Sequence, residues 1–304
     1  GARGSGALTT MSRQKNLSEP VRVAVIGGSG VYDIDGLSDV QTLKIKTPFG
    51  DPSDAVVVGR LEGVRCAFLP RHGRGHRHLP GEVPALANIY ALKSLGVERI
   101  LGIGAVGSLK EELAPRHFVV PDQVFDRTKF RRTSFFGDGV VGHVSVDQPF
   151  CAGLSQTLFE AARDIGVTAH RGGTYVCIEG PSFSTKAESQ VNRSHGFSVV
   201  GMTLVPEYKL AREAEICYAT VSLVTDYDVW KEGEEVSVEK VIATLHANVD
   251  NVKKLVRRVL PRLGAARTCA CASALRHAVF TNPAAMKPAT RKNLDLLIGK
   301  YLPA

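Results

Sequence analysis

No apolar run in this 304-residue chain reaches the roughly 18 residues that a membrane-spanning helix requires, so a membrane partner is not expected. The first twenty residues are rich in Gly, Ser and Thr and lack the apolar core of a signal peptide. Met11 lies within them. The segment 1–20 is expected to be disordered or a remnant of expression, and residues 21–304 to form the domain proper. No Gly-Lys-Ser/Thr follows the turn Gly27-Gly28-Ser29-Gly30, which excludes a Walker phosphate loop. Asp33 stands where a dinucleotide fingerprint needs its third glycine, which argues against a nicotinamide oxidoreductase. Internal repeats and long linkers are absent as well. The six cysteines are scattered, mostly in apolar runs, which fits buried thiols in the reducing cytoplasm rather than a disulfide framework. Only Cys269-Ala270-Cys271 is ambiguous: two incidental thiols, or a pair able to form or exchange disulfides. The formal charge is +8, yet no dense basic block is interleaved with aromatics, so nucleic acid is not the expected partner.

What is present is a regular alternation of strands and helices. A hydrophobic share of 44% is that of an ordinary soluble core. Val21 to Ile26 reads as a first strand, running into the glycine turn, where backbone N–H groups approach an anion closely and Ser29 adds a hydroxyl. Ala55–Val58 and Val64–Leu69 read as a hairpin that leads into Arg71-His72-Gly73-Arg74-Gly75-His76, a loop with donors for a small anion. A helix is expected over 84–95 with Gly96 at its C-terminal cap, and a strand over 99–108 that ends in glycines. Short extended runs at 118–120 and 124–126 precede a helix at 160–165 and a strand at 173–178. Thr185 with Glu188 makes a capping box for a helix through Ser194. Residues 198–202 read as a strand, Pro206 opens a helix to Ala214, and Cys217–Val224 reads as a buried strand. That strand stops at Asp226-Tyr227-Asp228, whose two carboxylates would share one side of an extended backbone. Ser237 to Leu260 carries one continuous apolar stripe, and helices are expected over 272–280 and 290–301. The fold class is therefore α/β, a single domain with a central mixed sheet flanked by helices.

Donors for an anion (Gly27 to Gly30, Arg71, His72, Gly104, Ala105, Thr203), a ring (Phe183) and two carboxylates gather at strand ends. The chemistry they suit is group transfer between a nucleoside and phosphate. From these and other colinear segments, the chain between about 21 and 302 resembles the 5′-methylthioadenosine phosphorylases, with their purine nucleoside phosphorylase-like fold. The segments are Ile26-Gly27-Gly28-Ser29-Gly30, Thr47-Pro48-Phe49-Gly50, Arg71-His72-Gly73-Arg74, Ala87 to Lys93, Gly107-Ser108-Leu109, Asp126-Arg127-Thr128, Ile178-Glu179-Gly180-Pro181, Ala187-Glu188-Ser189, Met202-Thr203 and Thr225 to Asp228. Cys269-x-Cys271 with Ala274-Leu275 resembles the C-terminal segment of archaeal and bacterial members.

The resemblance implies reversible phosphorolysis of 5′-methylthioadenosine to adenine and 5-methylthioribose 1-phosphate, in methionine and purine salvage. It implies no metal and no organic cofactor, phosphate as co-substrate, and a homotrimer or hexamer. It also implies the site: Ser29, Arg71, His72, Gly104, Ala105 and Thr203 on phosphate, Met202 on the ribose, and Phe183 on the purine. Asp226, the catalytic acid, and Asp228 would face the N7 and 6-amino edge. His76, Val238, Val241 and Ile242 would line the methylthio pocket, reached by His143 of a neighbouring subunit. To protonate or hydrogen-bond a departing adenine, Asp226 must hold its proton, which burial and a second carboxylate favour. Two positions depart from the family pattern. Gly104 stands where a hydroxyl residue is common, removing one phosphate donor, and Gly201 replaces an Asn, for which a looser strand end is expected. Rival readings are the same reaction on methylthioinosine or other purine nucleosides, and a catalytically silent nucleotide sensor or nucleic-acid binder. A 6-oxo base wants a donor at its edge, so the two aspartates favour adenine.

Overall fold

Val23-Ala24-Val25-Ile26 is apolar at every position because both of its faces are covered: Val23 and Val25 enter one core, Ala24 and Ile26 the other. The computed structural model describes residues 19–28, 34–233 and 237–303. The polar segment through residue 18, and Ser29, Gly30 and Asp33 of the glycine turn, lie outside the described residues.

The strands are β1 (Val23–Gly27), β2 (Ser38–Leu43), β3 (Val56–Leu61), β4 (Val64–Pro70), β5 (Arg99–Ser108), β6 (Phe118–Val120), β7 (Gln123–Arg127), β8 (Ala169–Arg171), β9 (Thr174–Ile178), β10 (Val199–Gly201) and β11 (Cys217–Asp226). They form one mixed sheet in the order β2-β3-β4-β1-β5-β10-β9-β7, with β11 paired to β5 and β6, and β6 to β8. The helices are α1 (Ala85–Ser94), α2 (Ala152–Asp164), α3 (Lys186–Ser194), α4 (Leu204–Glu213), α5 (Val238–Val259) and α6 (Pro288–Ile298).

The ten-residue β5 is the joint of the sheet. Over its first part it runs parallel to β1 and β11; at Gly107 and Ser108 it pairs antiparallel with β10, which is parallel to β9. Two sets of parallel strands therefore point their carboxyl ends at one another across β5. The ends of β4, β1, β5 and β11 meet those of β9 and β10, and that cleft is where an α/β sheet places a ligand.

Local signals hold well. Thr185 and Glu188 form the expected capping box, Ser237 caps α5 by accepting from the Lys240 N–H, and Gly96 takes a positive φ of 88° just past α1. In α4, Val205 keeps extended dihedrals (φ −96°, ψ 131°), so regular turns begin at Pro206 as expected. The helix expected over 272–280 is not there. Only a 3-10 turn, Ala270–Ser273, forms. Its backbone groups have tertiary partners instead: the Leu275 N–H donates to Glu215, the Phe280 N–H to the Val141 carbonyl, and the Ala278 carbonyl accepts from the His143 N–H. Those partners override the helix propensity of alanine.

Candidate functional site

A cavity of about 290 Å³ opens at the meeting point of the strand ends. Its cationic end is built on the turn after β4. Arg71 is 3% exposed, and its guanidinium is committed to the protein. Nε and Nη2 donate to the two carboxylate oxygens of Glu207 at 2.9 and 2.8 Å, Nη1 donates to the Ile103 carbonyl, and Nη2 reaches the Ile26 carbonyl. Burial opposes the charge, but the Glu207 carboxylate more than restores it, so Arg71 stays a cation. Glu207 is steadied in turn by the Tyr218 hydroxyl at 2.6 Å. The planar fork expected for an anion is thus spent on Glu207, and the N–H left for a ligand is on Nη1.

His72 lies beside it. Burial lowers its pKa to about 4, so the ring is neutral. Its Nδ1 bonds the His78 carbonyl at 2.9 Å; since a carbonyl only accepts, Nδ1 carries the proton. His72 stacks on His76 with centroids 4.3 Å apart. Thr203 makes no side-chain cap to α4; its hydroxyl lines the cavity and meets the Tyr175 hydroxyl behind it. Gly104 separates these donors: a Cβ there would stand 3.5 Å from Thr203 Oγ1 and 3.7 Å from Arg71 Nη1, in ordinary contact with both.

The acidic end is built on the end of β11. Between Val224 and Asp226 the register with β5 shifts, so Asp226 pairs with Gly107 and Thr225 is skipped. Such an irregularity re-aims the following side chain. Asp226 Oδ2 accepts from the Thr225 hydroxyl at 2.7 Å, and Oδ1 accepts from the Asp228 N–H at 2.8 Å. The chain does not stay extended beyond this point. Asp228 has φ +51°, so the two carboxylates share the cavity through a tight turn, not through the strand alternation expected from their spacing. The turn is fastened on both sides: the Tyr227 hydroxyl donates to the Glu111 carbonyl, and Trp230 Nε1 to the Ser108 carbonyl. Gly107 allows the close approach, because a Cβ there would lie 3.0 Å from Asp226 Oδ1. Burial, then repulsion from Asp228, raises the Asp226 pKa above the ordinary carboxylate value, against the hydrogen bonds it accepts. Burial also raises Asp228, and the hydroxyls of Ser189 and Ser184 pull the other way. Asp228 Oδ2 is buried without a hydrogen-bond partner.

Between the two ends lie Ala105, Met202 and Phe183. Phe183 is 46% exposed on the loop after β9, placed as a platform and not as core. The outer wall is α5, which presents Val241, Leu245, Val249 and Val252. These follow the spacing of one helix face. Val238 and Ile242 are not part of this wall: they are 59% and 46% exposed, one turn too early and one step around the helix. His143 also lies off the cavity of its own chain, its ring packed against Phe280. Ser29 lies outside the described residues, next to Gly28, which does line the cavity.

Sequence reasoning missed the supports. Glu207 sits among Leu204, Val205, Tyr208 and Leu210 on a buried helix face, and a carboxylate in that company was the available signal. Arg131, whose side chain is 3% exposed, ties Glu179 to the carbonyls of Glu179, Met202 and Val205, joining the two loops that frame the ring end. Nothing in its local sequence marks it. The expected looseness at Gly201 is overturned: Gly201 is buried in β10, and the Tyr175 hydroxyl occupies the space a side chain there would need.

A cleft between opposed parallel strand ends, cationic at one pole and acidic at the other, defines a class. The chain belongs to the phosphorylase superfamily, whose model matches residues 22–261. It is 54% identical over 282 residues to the S-methyl-5′-thioadenosine phosphorylase of Geobacter sulfurreducens, across 92% of this chain and 99% of that one. Among solved structures it is similar to a methylthioadenosine phosphorylase from an Antarctic soil metagenomic library (TM-score 0.88, 45% identity, 93% of this chain and 99% of that one). It is also similar to the methylthioadenosine phosphorylase of Schistosoma mansoni in complex with adenine (TM-score 0.75, 35% identity, 92% and 98%).

Proposed function

We propose that the protein catalyses the reversible phosphorolysis of S-methyl-5′-thioadenosine to adenine and 5-methylthioribose 1-phosphate. The observation that carries this is the pair of glycines on β5. Gly104 lies against Arg71 and Thr203, and Gly107 against Asp226 and Asp228. Three residues of strand separate the poles by about 10 Å. That spacing suits a ribose with phosphate on one side and a purine on the other.

Phosphate is held by Arg71, Thr203 and the turn at Gly28, with Ser29 and His72 beside it. Its negative charge stabilises the positive charge that grows on the ribose as the N-glycosidic bond breaks, and it then bonds to C1′. Asp226, whose pKa burial and Asp228 raise, hydrogen-bonds or, in its protonated form, protonates N7 as the purine leaves with the bonding electrons. Asp228 accepts from the 6-amino group, which supplies the donor its Oδ2 lacks. Phe183 covers the base and Met202 the ribose. Val241 and Leu245 face the 5′ group, where an apolar wall favours methylthio over an unpaired hydroxyl. His143 of a second subunit completes that pocket in a homotrimer or hexamer. The reaction needs no organic cofactor, and the unpaired cysteines suit the cytoplasm.

The test is adenine release from 5′-methylthioadenosine, with and without phosphate, beside adenosine and methylthioinosine. Phosphate-dependent release, fastest with methylthioadenosine, is expected. Faster turnover of methylthioinosine would move the assignment to 6-oxopurines, and no release from a folded protein would sink it.

A further inference from the structure

Four of the six cysteines take no part in this chemistry, yet they come together. Cys151 is the N-cap of α2, Cys217 the first residue of β11, and Cys269 and Cys271 flank the start of the C-terminal 3-10 turn. Their four sulfur atoms all lie within 4.8 Å of one another. Cys151, Cys217 and Cys271 are buried, Cys269 is half-buried, and none is in a disulfide.

We propose that Cys151, Cys217, Cys269 and Cys271 bind one Zn²⁺ as a structural tetrathiolate site. Four thiolates around zinc, each about 2.3 Å from the metal, place the sulfurs about 3.8 Å apart. The cluster brackets that value, from 3.2 Å between Cys217 and Cys269 up to the 4.8 Å limit. Cys151 Sγ interacts with the sulfurs of all three other cysteines, so the four form one group, and four soft donors select zinc over hard cations. The surroundings favour the negative charge that such a site carries. Arg212 Nη1 lies 3.7 Å from Cys271 Sγ, and Cys151 stands at a helix N-terminus, whose free N–H groups favour a thiolate. Binding sends the thiol protons to solvent and changes no oxidation state. Cys269, at the half-buried edge, gives the ion a way in.

The site is closed, with four protein ligands and no open position, so its role is structural. It also lies far from the chemistry: Cys217 begins the ten-residue β11 and Asp226 ends it, about 30 Å away. What it fastens is the C-terminal segment. Residues 269–271 are tied to α2 and β11, and this anchors the chain that goes on to α6.

The experiment is elemental analysis of the whole protein, purified under reducing conditions with zinc supplied and excess metal then removed by gel filtration. About one zinc per chain is expected. Replacement by Co²⁺ should give thiolate-to-cobalt charge transfer and the visible bands of a tetrahedral ion. Cys269→Ser, at the most accessible ligand, should lower the zinc content well below one. Cys66→Ser, a buried thiol on β4 outside the cluster, should leave it at one. The wild-type measurement stands even if a variant fails to fold. A wild-type protein without zinc under these conditions overturns the proposal. So does an intact mass about four daltons low, which would mean two disulfides, or a Cys66→Ser protein that loses zinc as fully as Cys269→Ser.

Discussion

The two poles of the cavity are finished to different degrees. At the cationic pole Arg71 makes four hydrogen bonds to Glu207, Ile26 and Ile103, and Tyr218 supports Glu207. At the acidic pole Asp228 Oδ2 is buried without a formed hydrogen bond, and its nearest donors are the hydroxyls of Ser184 and Ser189, themselves buried and unpaired. One pole is therefore satisfied before a ligand arrives, and positions it through a single spare N–H and nearby hydroxyls. The other is left incomplete, and in the proposed reaction a purine edge completes it. On that proposal, affinity for the base comes from completing the acidic pole. Precision at the anion is stored at the cationic pole as rigidity.

Breaking the acidic pole should have the largest effect on rate. Asp226→Asn keeps the shape but cannot give a proton. Proton transfer from a positioned acid is worth about 10²–10⁴-fold, so kcat/KM for methylthioadenosine should fall by that order, with preference moving toward 6-oxo substrates. The wild-type rate should also fall as pH rises through the raised Asp226 pKa, because the acid must be protonated. The variant should lack that limb, and unchanged turnover would remove Asp226 from its role. Breaking the cationic pole should show first in stability. Glu207→Gln leaves the buried Arg71 without its counter-charge, a loss of about 3–5 kcal/mol. A melting temperature within a degree of wild type would mean that Glu207 does not carry the pole.

A third carboxylate sharpens the contrast. Glu213 is 5% exposed but fully engaged, accepting from the Ser134 hydroxyl and the Phe135 N–H at 2.7 Å each. Burial still raises its pKa from 4.5 to about 7. Between those values the folded chain keeps a proton that the unfolded chain has lost. Stability is then full below about pH 4.5 and falls as pH rises to about 7, by at most about 3 kcal/mol. Urea midpoints at pH 5 and 8 should converge in Glu213→Gln, where the Ser134 hydroxyl can turn to accept from the amide. A raised acid is thus not in itself a catalytic one; Asp226 differs in facing a cavity.

Most strands, the capping box and the residues of both poles were legible in the sequence because each rests on local pattern: apolar runs, Thr185 with Glu188, and chemistry concentrated where strands stop; the polar, exposed β2 and the three-residue β8 carry no such run. What was not legible depends on residues distant in sequence. The expected helix over 272–280 gave way to Glu215, Val141 and His143. Periodicity found the stripe of α5 but not its rotation against the sheet; of the three α5 residues that the resemblance implied, Val241 lines the cavity, and Val238 and Ile242 do not. Arg131 and the gathering of four cysteines have no local signature at all, and Glu207 has only that of a carboxylate on an apolar helix face.

The two glycine departures look alike in sequence, yet the structure separates them. At Gly201 the missing side chain has been replaced, since the Tyr175 hydroxyl fills its space, and there is no room to restore it. At Gly104 nothing has taken its place. A Cβ would meet Thr203 Oγ1 at 3.5 Å and Arg71 Nη1 at 3.7 Å without displacing either. Gly104→Ser should therefore add a donor at the satisfied pole, worth about 0.5–1.5 kcal/mol. The KM for phosphate should fall two- to tenfold, with kcat for methylthioadenosine nearly unchanged, because the new bond forms before and during reaction alike. Steady-state kinetics with phosphate as the varied substrate reads this directly. A higher phosphate KM would mean that the ligand needs the space Gly104 leaves open. The cationic pole would then be finished as it stands, with the glycine as part of its fit.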